Sequence, residues 1–215
     1  MACSNYHQSI WEGVPEGLDP PDLELRLAFL LGHVEAAGAA HRSPPRVLDV
    51  GCGEGRFAAE LARRGFPVLG VDVAEEPLRR ARAREPGLEL RIVPAEGRWP
   101  LADASFDLVW AGETIEHVAD TGGWLAELWR VLRPGGSLLL STPAHGRLRV
   151  LALALSGRAF DAHFDPRSDH LRFYTRRTLT RVLEEGGFHE IRVRGAGGIP
   201  GVRRVLLAAA RRPPA

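Results

Sequence analysis

The chain has 215 residues, 45% of them hydrophobic and 26% charged, a balance that suits a soluble globular protein with a sizeable core and excludes a disordered or fibrous one. All 28 basic residues are arginine, so every mechanism that needs a lysine ammonium, Schiff base or phosphate-loop lysine alike, is excluded. The formal charge of +1 hides an asymmetry: residues 1–145 carry 14 arginines against 21 acidic residues, and residues 146–215 carry 14 against 6.

Two explanations of that asymmetry stand open. Basic and acidic surfaces neutralise each other across the fold, or the C-terminal part faces an anionic acceptor or a lipid surface. Cys3 and Cys52 lie in unrelated contexts, so neither a disulfide framework nor a cysteine zinc site is expected. The first residues show no basic run followed by an apolar core, and no stretch reaches the roughly 18 apolar residues of a membrane span. A reducing, cytoplasmic location is the expectation.

In chain order, Tyr6, His7 and Trp11 precede an amphipathic helix from Asp22 to about Ala36. Residues 46–52 (RVLDVGC) follow the Pro44-Pro45 breaker and read as a short buried strand that ends at glycine. Phe57, Ala58, Leu61 and Ala62 then recur at helical spacing until Gly65, and residues 68–73 (VLGVDV) form a second buried strand. The alternation continues with a helix over 75–85 and strands over 88–95 and 106–111. A helix carrying Trp124, Leu125, Leu128, Trp129 and Leu132 on one face follows, and then a strand over 137–142. Each crossover between parallel strands needs a helix, so this regularity predicts a doubly wound α/β fold on a mostly parallel sheet.

After residues 144–172, the one long insertion, come a helix over about 175–185 and strands over 189–195 and 203–211. Their short connection makes them antiparallel neighbours. The expected organisation is a single domain: an N-terminal helical cap (1–45), a core (46–143), an acceptor-side insertion (144–172) and a C-terminal helix with antiparallel strands (173–215).

The segment Asp49-Val-Gly51-Cys52-Gly53-Glu-Gly55 lies between the first strand and the first helix, where missing Cβ atoms let the backbone turn sharply and a ligand approach closely. Asp72 ends the second strand, where a carboxylate accepts both hydroxyls of an adenosine ribose. An aspartate at position 49 repels a pyrophosphate but suits an ammonium and a sulfonium, which favours S-adenosylmethionine over a dinucleotide. A dinucleotide oxidoreductase is therefore the weaker reading.

With these residues in place, VLDVGCGEGRFAAELARRG, VDVAEEPLRRAR, FDLVWAGETIEHV and LWRVLRPGGSLLLSTP resemble the class I S-adenosylmethionine-dependent methyltransferases over roughly residues 46–143. The resemblance implies a Rossmann-like, seven-stranded sheet with the last strand antiparallel. It also implies S-adenosylmethionine contacts at Asp49, Gly51, Cys52, Gly53 and Gly55, a ribose-binding acid at Asp72 with Val73 beside it, and Glu113 near the cofactor. The adenine-binding acid of the family falls on Ala95; either Glu96 replaces it or the backbone around Ala95 holds the ring. Trp99 either caps the adenine or packs the sheet.

Glu113-Thr-Ile-Glu116-His117 places two carboxylates and an imidazole at i, i+3 and i+4, on one side of a helical turn. This set suits Mg²⁺, Mn²⁺ or Zn²⁺ and is one ligand short. His170 can supply the fourth, with His163 and His145 as rivals; the alternative is a metal-free site in which His117 packs or acts as a base. The layout is similar to that of the ubiquinone-biosynthesis O-methyltransferases and to that of the metal-dependent enzymes that methylate 2′-hydroxyls at small-RNA 3′ ends.

The expected activity is methylation of a hydroxyl or phenol on a small molecule, by in-line transfer with His117 as catalytic residue. A metal-dependent RNA 2′-O-methyltransferase and a non-catalytic binding protein are the alternatives. The expected acceptor is anionic or apolar rather than nucleic acid. The stretch 148–155 (LRVLALAL), flanked by Arg147, Arg149 and Arg158, lines an apolar acceptor pocket, rests peripherally on an anionic membrane or packs in the core.

Overall fold

The computed structural model describes residues 2–40, 43–165 and 168–215, with the backbone alone for residues 2–6 and 40. Among them the strands are β1 (Val47–Val50), β2 (Val68–Asp72), β3 (Glu89–Ile92), β4 (Phe106–Gly112), β5 (Leu132–Pro143), β6 (His189–Ile199) and β7 (Val202–Arg211). They form one sheet in the order β3-β2-β1-β4-β5-β7-β6. The pairs from β3 through β5 are parallel, and β7 runs antiparallel to both β5 and β6.

The helices are α1 (Ala2–Gly13), α2 (Leu23–Ala40), α3 (Arg56–Arg63), α4 (Glu75–Arg84), α5 (Thr121–Val131), α6 (Arg147–Ala154), α7 (Gly157–His163) and α8 (Arg176–Glu185). Burial on both faces explains the apolar strands. Val47, Leu108, Trp110, Leu139 and Leu207 pack under Phe29, Leu30 and Val34 of α2 and Phe57 and Leu61 of α3. Leu48, Val50, Val109, Leu138 and Leu140 pack against Leu125 and Leu128 of α5 and Leu179 and Leu183 of α8.

Order reverses between β1 and β4, so the loops leaving their carboxyl ends diverge and open a crevice there. Within the N-terminal segment, expected as a helical cap with a helix from Asp22 to about Ala36, Ala2–Gly13 form a further helix, α1. Two sequence expectations shift. Residues 113–117 do not make one regular helical turn: Glu113 takes a left-handed φ of 54° and only Ile115–His117 form a short 3₁₀ turn. Helix α6 buries none of its residues, which removes core packing as the role of residues 148–155. No helix among the described residues is long and apolar enough to cross a membrane.

Candidate active site

Two cavities meet at the carboxyl ends of β1, β2, β4 and β5. The first, of about 470 Å³, is bounded by Gly51 of the glycine loop, Asp72 and Val73, Ala95, Glu96 and Trp99, Glu113 and Thr114, and by His7, Ile10, Trp11 and Val14 from the N-terminal segment. The second, of about 610 Å³, is bounded by Asp22, Glu113, Glu116, His117, His170, Arg149 and Arg204. Glu113, His117 and Asp169 belong to both walls.

The glycine loop turns through left-handed φ at Gly51, Gly53 and Gly55. A Cβ at Gly51 would stand 2.6 Å from Thr114 Oγ1, and one at Gly53 would stand 3.0 Å from the Trp11 ring, so side chains are excluded on both flanks of the loop. Asp72 accepts the Gly53 amide through Oδ2 and the Ala74 amide through Oδ1, both at 3.0 Å, and faces the cavity with its remaining lone pairs. Burial raises its pKa against those amides.

Asp49 sits behind the loop rather than on the cavity wall. Its carboxylate accepts the Ala58 amide at 3.1 Å, capping α3, because the N-cap residue Gly55 has no side chain to do so. Burial pushes its pKa up to about 7, opposed by that amide and by Arg26. Cys52 points inward as well: its Sγ would lie 3.0 Å from a Cβ at Gly70, and burial drives the thiol far up. Glu96 is exposed on the cavity rim. Trp99 packs in the core cluster with residues of α5 and also borders the cavity.

Around the second cavity, ligand atoms of Glu116, His117 and His170 all lie within 4.8 Å of one another. Glu113 stands outside that group, its Oε1 taking the Ser141 hydroxyl at 2.9 Å. Glu116 Oε2 accepts from Thr142 Oγ1 at 2.9 Å, whereas its buried Oε1 has no hydrogen-bond partner. Burial, and next the neighbouring Glu113, push the Glu116 carboxyl up to about 8. His117 Nδ1 lies 3.0 Å from the Asp169 carbonyl oxygen, which can only accept, so in the neutral ring Nδ1 carries the proton and Nε2 keeps a lone pair. The His170 pKa is lowered by burial and then by His117, leaving a neutral imidazole 4.9 Å from the His117 ring.

His145 and His163 stand apart as a separate ring pair with Phe173, 5.2 Å from each other. Arg26, 2% exposed, is the residue sequence reasoning missed. It holds one guanidinium against Asp22, Asp49, Glu113 and Glu116, and burial lowers its pKa. Its guanidinium lies over Phe57 at 4.9 Å and over Trp110 at 5.9 Å. The signal was present, since an arginine interrupts the apolar run LELRLAFLL.

A methyltransferase-domain family pattern matches residues 23–192, and on this basis, with the glycine loop and Asp72 in place, the chain belongs to the class I S-adenosylmethionine-dependent methyltransferases. The ubiquinone biosynthesis O-methyltransferase of Methylococcus capsulatus is 32% identical over 182 residues, 82% of this chain and 74% of that protein. The protein of the same name from Caulobacter sp. (strain K31) is 38% identical over 129 residues, 58% of this chain. The chain spans 51%, 61% and 62% of the length of three such relatives. Phosphoethanolamine N-methyltransferase 2 of Haemonchus contortus, solved with S-adenosyl-L-methionine, shares the fold: TM-score 0.70, 18% identity, 99% of this chain and 57% of that one.

Proposed function

We propose that this chain transfers the methyl group of S-adenosylmethionine to a hydroxyl or phenol of a small molecule, with the donor in the first cavity and the acceptor in the second. The shared wall carries the reading, because His117 borders both spaces with Nε2 making no hydrogen bond, 4.0 Å from Glu116 Oε1. The acceptor oxygen attacks the methyl carbon in line, its proton passes to His117 Nε2, and the carbon–sulfur bond breaks to leave S-adenosylhomocysteine. Asp72 orients the ribose, and Trp11 and Trp99 exclude water from the donor.

A divalent ion fits Glu116, His117 and His170: the unpartnered Glu116 Oε1 and two imidazoles are oxygen and nitrogen donors suited to Mg²⁺, Mn²⁺ or Zn²⁺. When bound, such an ion supplies Lewis acidity toward the acceptor hydroxyl in place of the imidazole lone pair. The insertion supports an apolar acceptor drawn from an anionic membrane surface. Leu148 and Leu151 of α6, Leu155 just after it, and Phe160 and Phe164 beside them are exposed next to Arg147 and Arg158. Such a protein works from the cytoplasm as a peripheral partner of the bilayer.

The test is calorimetric titration of S-adenosylhomocysteine, followed by turnover of catechol with and without chelator. Asp72→Asn is expected to weaken the titration by roughly tenfold or more, since an amide presents a donor toward the Gly53 and Ala74 amides. Full affinity in that variant would overturn the donor assignment. Full turnover in chelator, with no metal retained by elemental analysis, would remove the ion and leave His117 as the base.

A further inference from the structure

The charge asymmetry of the sequence is only partly neutralised across the fold. Arginines of the N-terminal part are tied to carboxylates: Arg56 to Asp19, Arg80 and Arg84 to Glu54, Arg130 to Glu127 and Arg133 to Asp107. In the C-terminal part Arg204 reaches Asp22 and Arg211 reaches Glu190. Arg176, Arg177 and Arg181 of α8 and Arg192 and Arg194 of β6 form no ion pair among the described residues.

These five arginines border one groove of about 820 Å³, away from both cavities of the candidate active site. Its floor is apolar. Strand β6 ends the sheet, and the α2-side face of β6 and β7 carries Leu207 and Ala209 opposite Arg194 and Arg192, with Phe29 of α2 closing the far side. Two contacts hold the rim in shape: Arg176 Nε donates to the Val193 carbonyl at 3.0 Å, and the Arg194 guanidinium lies 5.5 Å from the Phe29 ring centre. Glu184 is the one carboxylate on the wall among the described residues.

We propose that this groove docks an acidic amphipathic helix of a partner protein, apolar face on the floor and carboxylates on the arginine rims. Two turns of a helix about 10 Å wide occupy roughly 850 Å³, close to the space available. Other occupants fit less well. A bilayer surface is flat and cannot reach a concave floor, and a nucleic acid backbone has no use for apolar ground between its phosphates. A second copy in a two-fold contact would set this edge against its own arginines. Arginine on an exposed edge strand also deters strand pairing, so a helix is the element that can use the site.

The probe is a fluorescein-labelled synthetic peptide of about 16 residues, with leucines at i, i+3, i+4 and i+7 and glutamates elsewhere, titrated by anisotropy against the full chain. Saturable binding is expected, weaker at physiological than at low salt, and at least about tenfold weaker for a permuted peptide of the same composition. Arg181→Glu combined with Arg192→Glu should weaken it by roughly tenfold or more, with unchanged affinity for S-adenosylhomocysteine and an unchanged melting curve. Arg181→Gln with Arg192→Gln guards against misfolding and should show a smaller loss in the same direction. The proposal is overturned if the peptide does not bind, if the permuted peptide binds equally, or if the charge-reversed chain keeps full affinity. It is equally overturned if an RNA duplex or anionic vesicles displace the peptide and bind more tightly through the same arginines.

Discussion

Glu116→Gln isolates the cost of keeping a carboxyl beneath the second cavity. In the folded chain this group is raised from 4.5 to about 8, by burial first and by Glu113 next. Its folded pKa exceeds its unfolded one, so the stability it contributes is fully present below pH 4.5 and is lost as pH rises through about 8. Taken whole, a rise of that size corresponds to at most about 5 kcal/mol. Because Glu113 takes part in the titration, about 2 to 3 kcal/mol is expected for the single substitution. Glutamine keeps the shape and still accepts from Thr142 Oγ1. At pH 9, in chelator, the variant should therefore melt roughly 5 to 10 °C above the wild type, and at pH 4 the two should coincide. The assay is differential calorimetry of both chains across that range. A difference that stays constant with pH, or that grows toward acid, would refute the reasoning.

Two further outcomes follow from the packing. Arg80 donates to the Val14 carbonyl at 2.8 Å and the Trp11 carbonyl at 3.0 Å, holding the end of α1 over the donor cavity. Arg80→Met should weaken S-adenosylhomocysteine binding by about tenfold and speed hydrogen exchange across residues 7–14. Trp11→Ala should do the same, with little added in the double variant, and additive losses would count against a shared role. Gly112→Ala would press a methyl group onto the Arg26 guanidinium and to 2.7 Å from the Trp110 ring, so a destabilisation of about 1 to 3 kcal/mol should appear in urea melts. An unchanged midpoint would mean that Arg26 moves freely.

Most of the sheet was legible because its signals are local. Short buried runs rich in valine and leucine, VLDV before Gly51 and VLGV before Asp72, mark β1 and β2, and the helical spacing of Trp124, Leu125 and Leu128 marks α5. The short connection between β6 and β7 correctly predicted their antiparallel pairing. The N-terminal cap was expected to be helical, but α1 had no bounds, since ACSNYHQSIWEG has no acidic residue in its first turn and no basic one in its last; contacts with α4 hold it, through Gln8 to the Glu76 amide and Arg80 to the backbone of α1. The cluster at residues 113–117 was legible as chemistry but not as geometry. Spacing suggested a helical turn, whereas the φ of 54° at Glu113 sends its carboxylate to Ser141 and leaves Glu116 to Thr142.

By itself the sequence determined the α/β order, the side-chain-poor loop after β1 and the acid after β2, since backbone sterics and strand burial depend on neighbours a few residues away. Only the tertiary structure decided which charged groups are satisfied. It turned Asp49 inward as a helix cap and placed Arg26 among four carboxylates. It also left five C-terminal arginines without an ion pair among the described residues around one groove. Electrostatic energy depends on distance and burial, and those are set by segments far apart in the chain.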